Sequence, residues 1–135
     1  MGSLKAQLPN GSQAPDWILT DLNGNTHHLQ EYLDAGKTVY IDMFATWCGP
    51  CWNYHQTHTL KNLYEQYGPD GTDQVMVFGI ESDISTPTNC LYDQNCPSSQ
   101  GDWTAGVPYP IIDIMATNGP NMPNNYALSY YPTIY

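Results

Sequence analysis

At 135 residues the chain is the length of one domain and long enough to bury a substantial core. Only 12% of its residues are charged: three lysines (Lys5, Lys37, Lys61), no arginine and 13 acids, for a net charge of −10. So few cations cannot neutralise phosphates, which argues against nucleic-acid binding, and no apolar run reaches the ~20 residues a membrane-spanning helix needs.

Residues 1–13 are polar, contain Pro9 and Gly11, and read as a flexible leader; residues 14–135 read as one domain. Met1-Gly2-Ser3 reads as an appended start, with any signal peptide already removed. Trp17–Leu22 partly alternates and runs into Asn23-Gly24, a tight-turn signal, before Thr26–Leu29 returns. This predicts a β-hairpin, with His27 and His28 exposed after the turn. A short helix over Gln30–Ala35 is stopped by Gly36.

Lys37–Ala45 is apolar on both faces except for Asp42, as expected of a central parallel strand. Helical periodicity starts at Cys48, and Leu60, Leu63, Tyr64 and Tyr67 form an apolar stripe that ends at Gly68-Pro69. Val75–Ile80 is a second buried strand, followed by Glu81-Ser82-Asp83 at its carboxyl end. Residues 84–107 are irregular and hold Cys90, Cys96 and Trp103, which is expected to pack this insertion onto the core. A brief strand over Tyr109–Asp113, a Gly/Pro/Asn-rich loop, a short helix near 125–129 and Tyr130–Tyr135 complete the order. Strands alternating with helices predict an α/β sheet.

The chemistry centres on Trp47-Cys48-Gly49-Pro50-Cys51. A buried strand delivers Cys48 to a turn, and a helix begins there. The first N–H groups of a helix lack intrahelical partners, and the helix dipole favours negative charge beside them. A thiolate at Cys48 is therefore stabilised, with an expected pKa near ~7. Cys51 lies one turn on, close enough to close a disulfide. Asp42, a carboxyl in an apolar strand, should have a raised pKa and could exchange a proton with Cys51. His55 and His58 share the helix with both cysteines, but four groups on one helix cannot converge on one metal ion, so surface or satisfied histidines are expected. Cys90 and Cys96 bracket five residues and suit a structural disulfide. An even cysteine count and low charge suit an extracytoplasmic setting.

These residues resemble the thioredoxin-like superfamily. "VYIDMFATWCGPC" resembles its active-site strand and helix start. "APDWILTDLNGNTHHLQEYLDAGKTV" resembles the N-terminal extension of its TlpA-like extracytoplasmic branch, and "VPYPIID" with "NNYALSYYPTIY" resembles that branch's extra strand and cis-proline segment. The aromatic, Asn-rich character also resembles secreted Bacteroidetes proteins. The resemblance implies a thioredoxin-like α/β fold with an N-terminal β-hairpin and a mixed central sheet, lacking the C-terminal hairpin partner and final helix. It implies a thiol–disulfide oxidoreductase, a protein-disulfide reductase, with Cys48 as nucleophile, Cys51 as resolving thiol and Asp42 as the buried acid. Trp47, Gly49, Pro50, Tyr131 and a cis Pro132 would face the substrate.

No cofactor beyond the Cys48–Cys51 disulfide is implied. The expected partners are disulfide-containing proteins and a redox donor protein, with further domains possible in the full-length protein. Two departures stand out. Tyr54 occupies the position three after Cys51 where the branch often has an acid. Gln56 occupies the position of a helix-kinking proline, which predicts a straighter active-site helix. A non-catalytic module of a larger secreted protein and a copper-binding relative are the alternatives.

Overall fold

The computed structural model describes residues 7–117 and 119–135. The first six residues of the expected leader lie outside the described residues; beyond them, Leu8 packs against the core and donates its N–H to Tyr135 Oη at 2.8 Å.

The first described elements are the antiparallel hairpin strands β1 (Ile18–Thr20) and β2 (Thr26–His28). Gly24 takes the left-handed conformation (φ +86°) its turn requires. Asp21 organises that turn, accepting the N–H groups of Asn23 (2.8 Å) and Asn25 (3.0 Å) and meeting His27 Nε2 at 2.7 Å. Burial acts to raise the Asp21 carboxyl, but His27 and the two N–H groups outweigh it and hold it below the ordinary value. His27 is therefore packed rather than exposed, wedged between Asp21 and the Tyr32 hydroxyl. His28 is half-buried against Asp16. The expectation of two exposed histidines fails because a carboxylate stands at each end of the facing strand.

After α1 (Leu29–Asp34), a four-stranded sheet forms among the described residues, in the order β5-β4-β3-β6. Strands β3 (Thr38–Phe44), β4 (Val75–Glu81) and β5 (Ile111–Asp113) are mutually parallel, and β6 (Thr133–Ile134) adds antiparallel to β3. The sheet is mixed, as expected. Alternation along the strands separates two cores. Ile41, Met43, Met76, Phe78 and Ile80 pack toward the hairpin, while Phe44 and Val77 pack toward the active-site helix. Asp42 follows the period of Phe44 onto the helix-facing side.

The helix that follows the cysteine motif is not straight. It divides into α2 (Gly49–Gln56) and α3 (Thr59–Tyr67), although no proline stands between them. Thr57 Oγ1 donates back to the Tyr54 carbonyl at 2.6 Å, a side-chain bond that competes with the helical ladder, and His58 turns left-handed (φ 58°). That conformation costs a non-glycine residue about 1 kcal/mol. His58→Gly is therefore expected to raise stability by about 1 kcal/mol in urea denaturation; an unchanged midpoint would refute the strain. The helix α4 (Met122–Asn125) starts earlier than expected, because Pro123 fits the first turn of a helix, where its missing N–H is no loss.

Candidate active site

Parallel strands direct their carboxyl ends to one edge, and the cysteine motif sits there. β3 ends at Phe44, residues 45–47 turn, and Cys48 caps α2. The Cys51 N–H donates to Cys48 Sγ at 3.2 Å, so the helix start presents a donor directly to sulfur. Cys48 and Cys51 are bonded as a disulfide, and both are buried. Pro50 lies in the first helical turn, where it removes no needed donor.

The last segment approaches from the other side. The Tyr131–Pro132 peptide bond is cis, and the Tyr131 ring meets the exposed Trp47 ring edge-on at 5.6 Å. Register from Met43↔Thr133 carries Pro132 toward the end of β3. Gly49 is half-buried and Pro50 exposed beside it.

Three acids with shifted titration lie on β3 and β4 or directly after them, the strands that lead to this edge. Asp42 is 4% exposed, its Oδ1 has no hydrogen-bond partner among the described residues, and burial pushes its carboxyl up to about 7. It lines a cavity of about 250 Å³ with Trp52, Tyr54, His55, Val107 and Tyr109. Asp42 and the Tyr54 that stands in place of an acid thus share one space. Glu81, at the end of β4, accepts the N–H groups of Thr46 (2.9 Å) and Asp83 (2.5 Å). Burial prevails over those bonds and raises Glu81 to about 8. Asp83 goes the other way: burial opposes its charge, but donors from Ser85, Trp47 and Thr86 hold it at about 2. Its Oδ2 accepts the Trp47 indole N–H at 2.7 Å.

In the sequence, Glu81 and Asp83 stand out only as strand-end acids; a carboxyl closing a buried strand is the signal that points to them. His55 stacks on Trp52 and meets Trp103, and burial lowers its pKa, while His58 is exposed. Among the described residues, no three His, Cys, Asp or Glu side chains form a metal-holding group. Cys90 and Cys96 are joined to each other. Trp103 is buried and stacks on Phe44 at 4.5 Å, packing the insertion onto the core.

The model of the Redoxin family matches residues 9–112, a span that runs from before the hairpin through the cysteine motif to β5. The chain belongs to the Redoxin family. Thiol-disulfide oxidoreductase ResA of Geobacillus kaustophilus is 37% identical over 73 residues, 54% of this chain and 40% of its own length. The Bacillus subtilis ResA is 32% identical over 81 residues, 60% of this chain and 43% of its own. The chain thus spans about two fifths of the length of these curated relatives. A Bacteroides vulgatus crystal structure, named provisionally as a thiol-disulfide oxidoreductase, matches 95% of this chain and 77% of its own at a TM-score of 0.64 and 25% identity. A Bacteroides fragilis thiol-disulfide oxidoreductase matches 91% and 80% at 0.61 and 17%, which speaks to fold alone. The fold of this Redoxin member is thioredoxin-like.

Proposed function

We propose that the protein is a thiol–disulfide oxidoreductase working as a protein-disulfide reductase. The observation that carries this is the capping geometry: Cys48 Sγ receives a free N–H of the helix start and is already bonded to Cys51. In the dithiol form, the Cys48 thiolate attacks one sulfur of a substrate disulfide. The S–S bond breaks, one substrate thiolate leaves and is protonated, and a mixed disulfide joins Cys48 to the other sulfur. Cys51 then loses its proton to Asp42 and attacks Cys48 Sγ. This releases the second substrate thiol and closes the Cys48–Cys51 disulfide. The substrate gains two electrons and the protein loses two; a donor dithiol protein restores them.

Asp42 suits proton exchange because a carboxyl that titrates at about 7 accepts and returns a proton at neutral pH. Trp47, Gly49, Pro50, Tyr131 and Pro132 form the surface that meets substrate, with the Tyr131 backbone pairing to an extended peptide like an added strand. The working compartment is extracytoplasmic. A second disulfide outside the motif supports this, since such bonds persist where thiols are not kept reduced.

Equilibration of the Cys48–Cys51 pair against dithiothreitol buffers tests the direction. A potential near about −270 mV is expected, as for reducing CGPC proteins. A value near about −120 mV would make the protein an oxidant and overturn the reductase assignment.

A further inference from the structure

We propose that the loop from Cys90 to Trp103 is a positioning element for Cys48, and that the Cys90–Cys96 bond keeps it engaged, so that the second disulfide governs how readily Cys48 reacts as a thiolate. This rests on Cys48 being the nucleophile. The loop reaches across to the two peptide units that precede Cys48. Trp103 Nε1 donates to the Thr46 carbonyl at 3.2 Å, and the Gln100 N–H donates to the same oxygen at 3.0 Å. Gln100 Nε2 donates to the Trp47 carbonyl at 3.1 Å. Glu81 holds the Thr46 N–H from the opposite side. The short turn that aims Cys48 at its helix is therefore gripped from both directions.

The grip is connected to the disulfide by a continuous set of bonds. Ser99 Oγ donates to the Cys90 carbonyl at 2.8 Å, and the Ser99 N–H donates to the Cys96 carbonyl at 3.1 Å. Gln100 is the next residue. The Trp103 N–H donates to the Leu91 carbonyl at 2.9 Å, which ties the far end of the loop beside Cys90. Gly101 lies so close to Trp52 that an added Cβ would stand 2.6 Å from that ring, so the loop also presses on α2 directly after the second cysteine.

The electrostatic consequence follows from dipoles. Carbonyl oxygens next to a thiolate repel it. Three donors on the Thr46 and Trp47 oxygens offset their negative ends and brace the two peptide units that lead into Cys48, whose Sγ receives the Cys51 N–H. Freed carbonyls would disfavour the thiolate. The ionisable groups facing this region are Glu81 and Asp83 from the β4 end, Tyr131 from the last segment, and His55 against Trp103. None of them is substituted in the variants below, and Gln100→Met leaves the His55–Trp103 contact in place.

The test uses the full chain with Cys51→Ser and an intact Cys90–Cys96 bond, which leaves Cys48 as the single free thiol. The pH profile of Cys48 alkylation by iodoacetamide is compared in this parent, with added Trp103→Phe, with added Gln100→Met, and with Cys90→Ser/Cys96→Ser. Phenylalanine keeps an aromatic ring over Phe44 but loses the N–H; methionine keeps the length of glutamine but loses the donor. Each variant is expected to move the ionisation midpoint upward and to slow alkylation at pH 6 by about twofold to threefold, the effect of a shift of under half a pH unit. The thermal midpoint of Gln100→Met is expected to stay unchanged, which a purely structural role would not predict alongside the shift. Profiles of Trp103→Phe and Gln100→Met that superimpose on the parent overturn the proposal, even if the serine pair fails to fold. Alkylation requires no turnover, so this outcome is independent of whether the protein reduces disulfides.

Discussion

Cys48→Ser is expected to abolish reduction of insulin by dithiothreitol catalysed by the full-length protein, a loss of at least about a thousandfold, to the uncatalysed rate. Serine at pH 7 offers a hydroxyl in place of a thiolate, and the helix start cannot make it a nucleophile of comparable strength. Cys51→Ser separates the two roles. Under the proposed roles it leaves the attacking sulfur in place but removes the thiol that releases product. Turnover is again lost, but a mixed disulfide between Cys48 and substrate accumulates and is visible by mass spectrometry without reductant. Retained turnover in Cys48→Ser would reduce the motif to a structural staple. Trapping through Cys51 in the Cys48→Ser variant would reverse the assignment of nucleophile and resolving thiol.

Asp42→Asn is expected to stabilise the protein at alkaline pH while slowing release of product. Burial raises the Asp42 carboxyl to about 7 in the folded state, against an ordinary value of 3.8. Between those pH values the folded state keeps a proton that the unfolded state has released. Stability therefore falls as pH rises from about 4 to about 7, then levels off once both states are ionised. The gap between those two values corresponds to at most ~4 kcal/mol. Asparagine carries no charge at any pH and removes this slope. The stability gap between the variant and the parent should thus widen by up to ~4 kcal/mol from pH 4 to pH 8 in urea denaturation. Glu81 titrates in the same range, also raised by burial, and remains in both proteins, so the difference curve isolates Asp42. Decay of the mixed disulfide at pH 7 should slow by about ten- to a hundredfold without the proton acceptor. Parallel stability curves would mean that Asp42 is not held neutral by burial. Unchanged decay would remove it from the reaction.

Much of this architecture is legible in the amino-acid sequence. Short apolar runs mark β3 and β4, Asn23-Gly24 marks the hairpin, and the change to helical spacing after Cys48 marks α2. Each is a local signal, written in neighbours a few residues apart, which is the range over which backbone periodicity acts. The motif also carries its own chemistry, since a cysteine at a helix start has its donor three residues away. Asp42 is visible as a polar interruption of an apolar strand. The break at Thr57–His58 is not legible in the same way, because the familiar sign is a proline, whereas here a threonine hydroxyl bonding backward performs the same interruption.

The contacts that complete the site lie at long range. Glu81 meets Thr46 across 35 residues, Gln100 meets Trp47 across 53 and Trp103 meets Thr46 across 57. The cavity that joins Asp42 to Tyr54, His55 and Tyr109 is assembled from β3, α2 and the segment before β5. No spacing rule encodes such meetings. They arise when the parallel strands align their carboxyl ends and the insertion folds over them, and hydrogen-bond partners are then set by which chain segments the sheet brings together. A dithiol at a helix start, and the strands that carry it, follow from local pattern alone. Which buried acids, carbonyls and aromatic rings surround that dithiol follows only from the folded chain, because burial and dipole alignment exist only once distant segments have closed on one another.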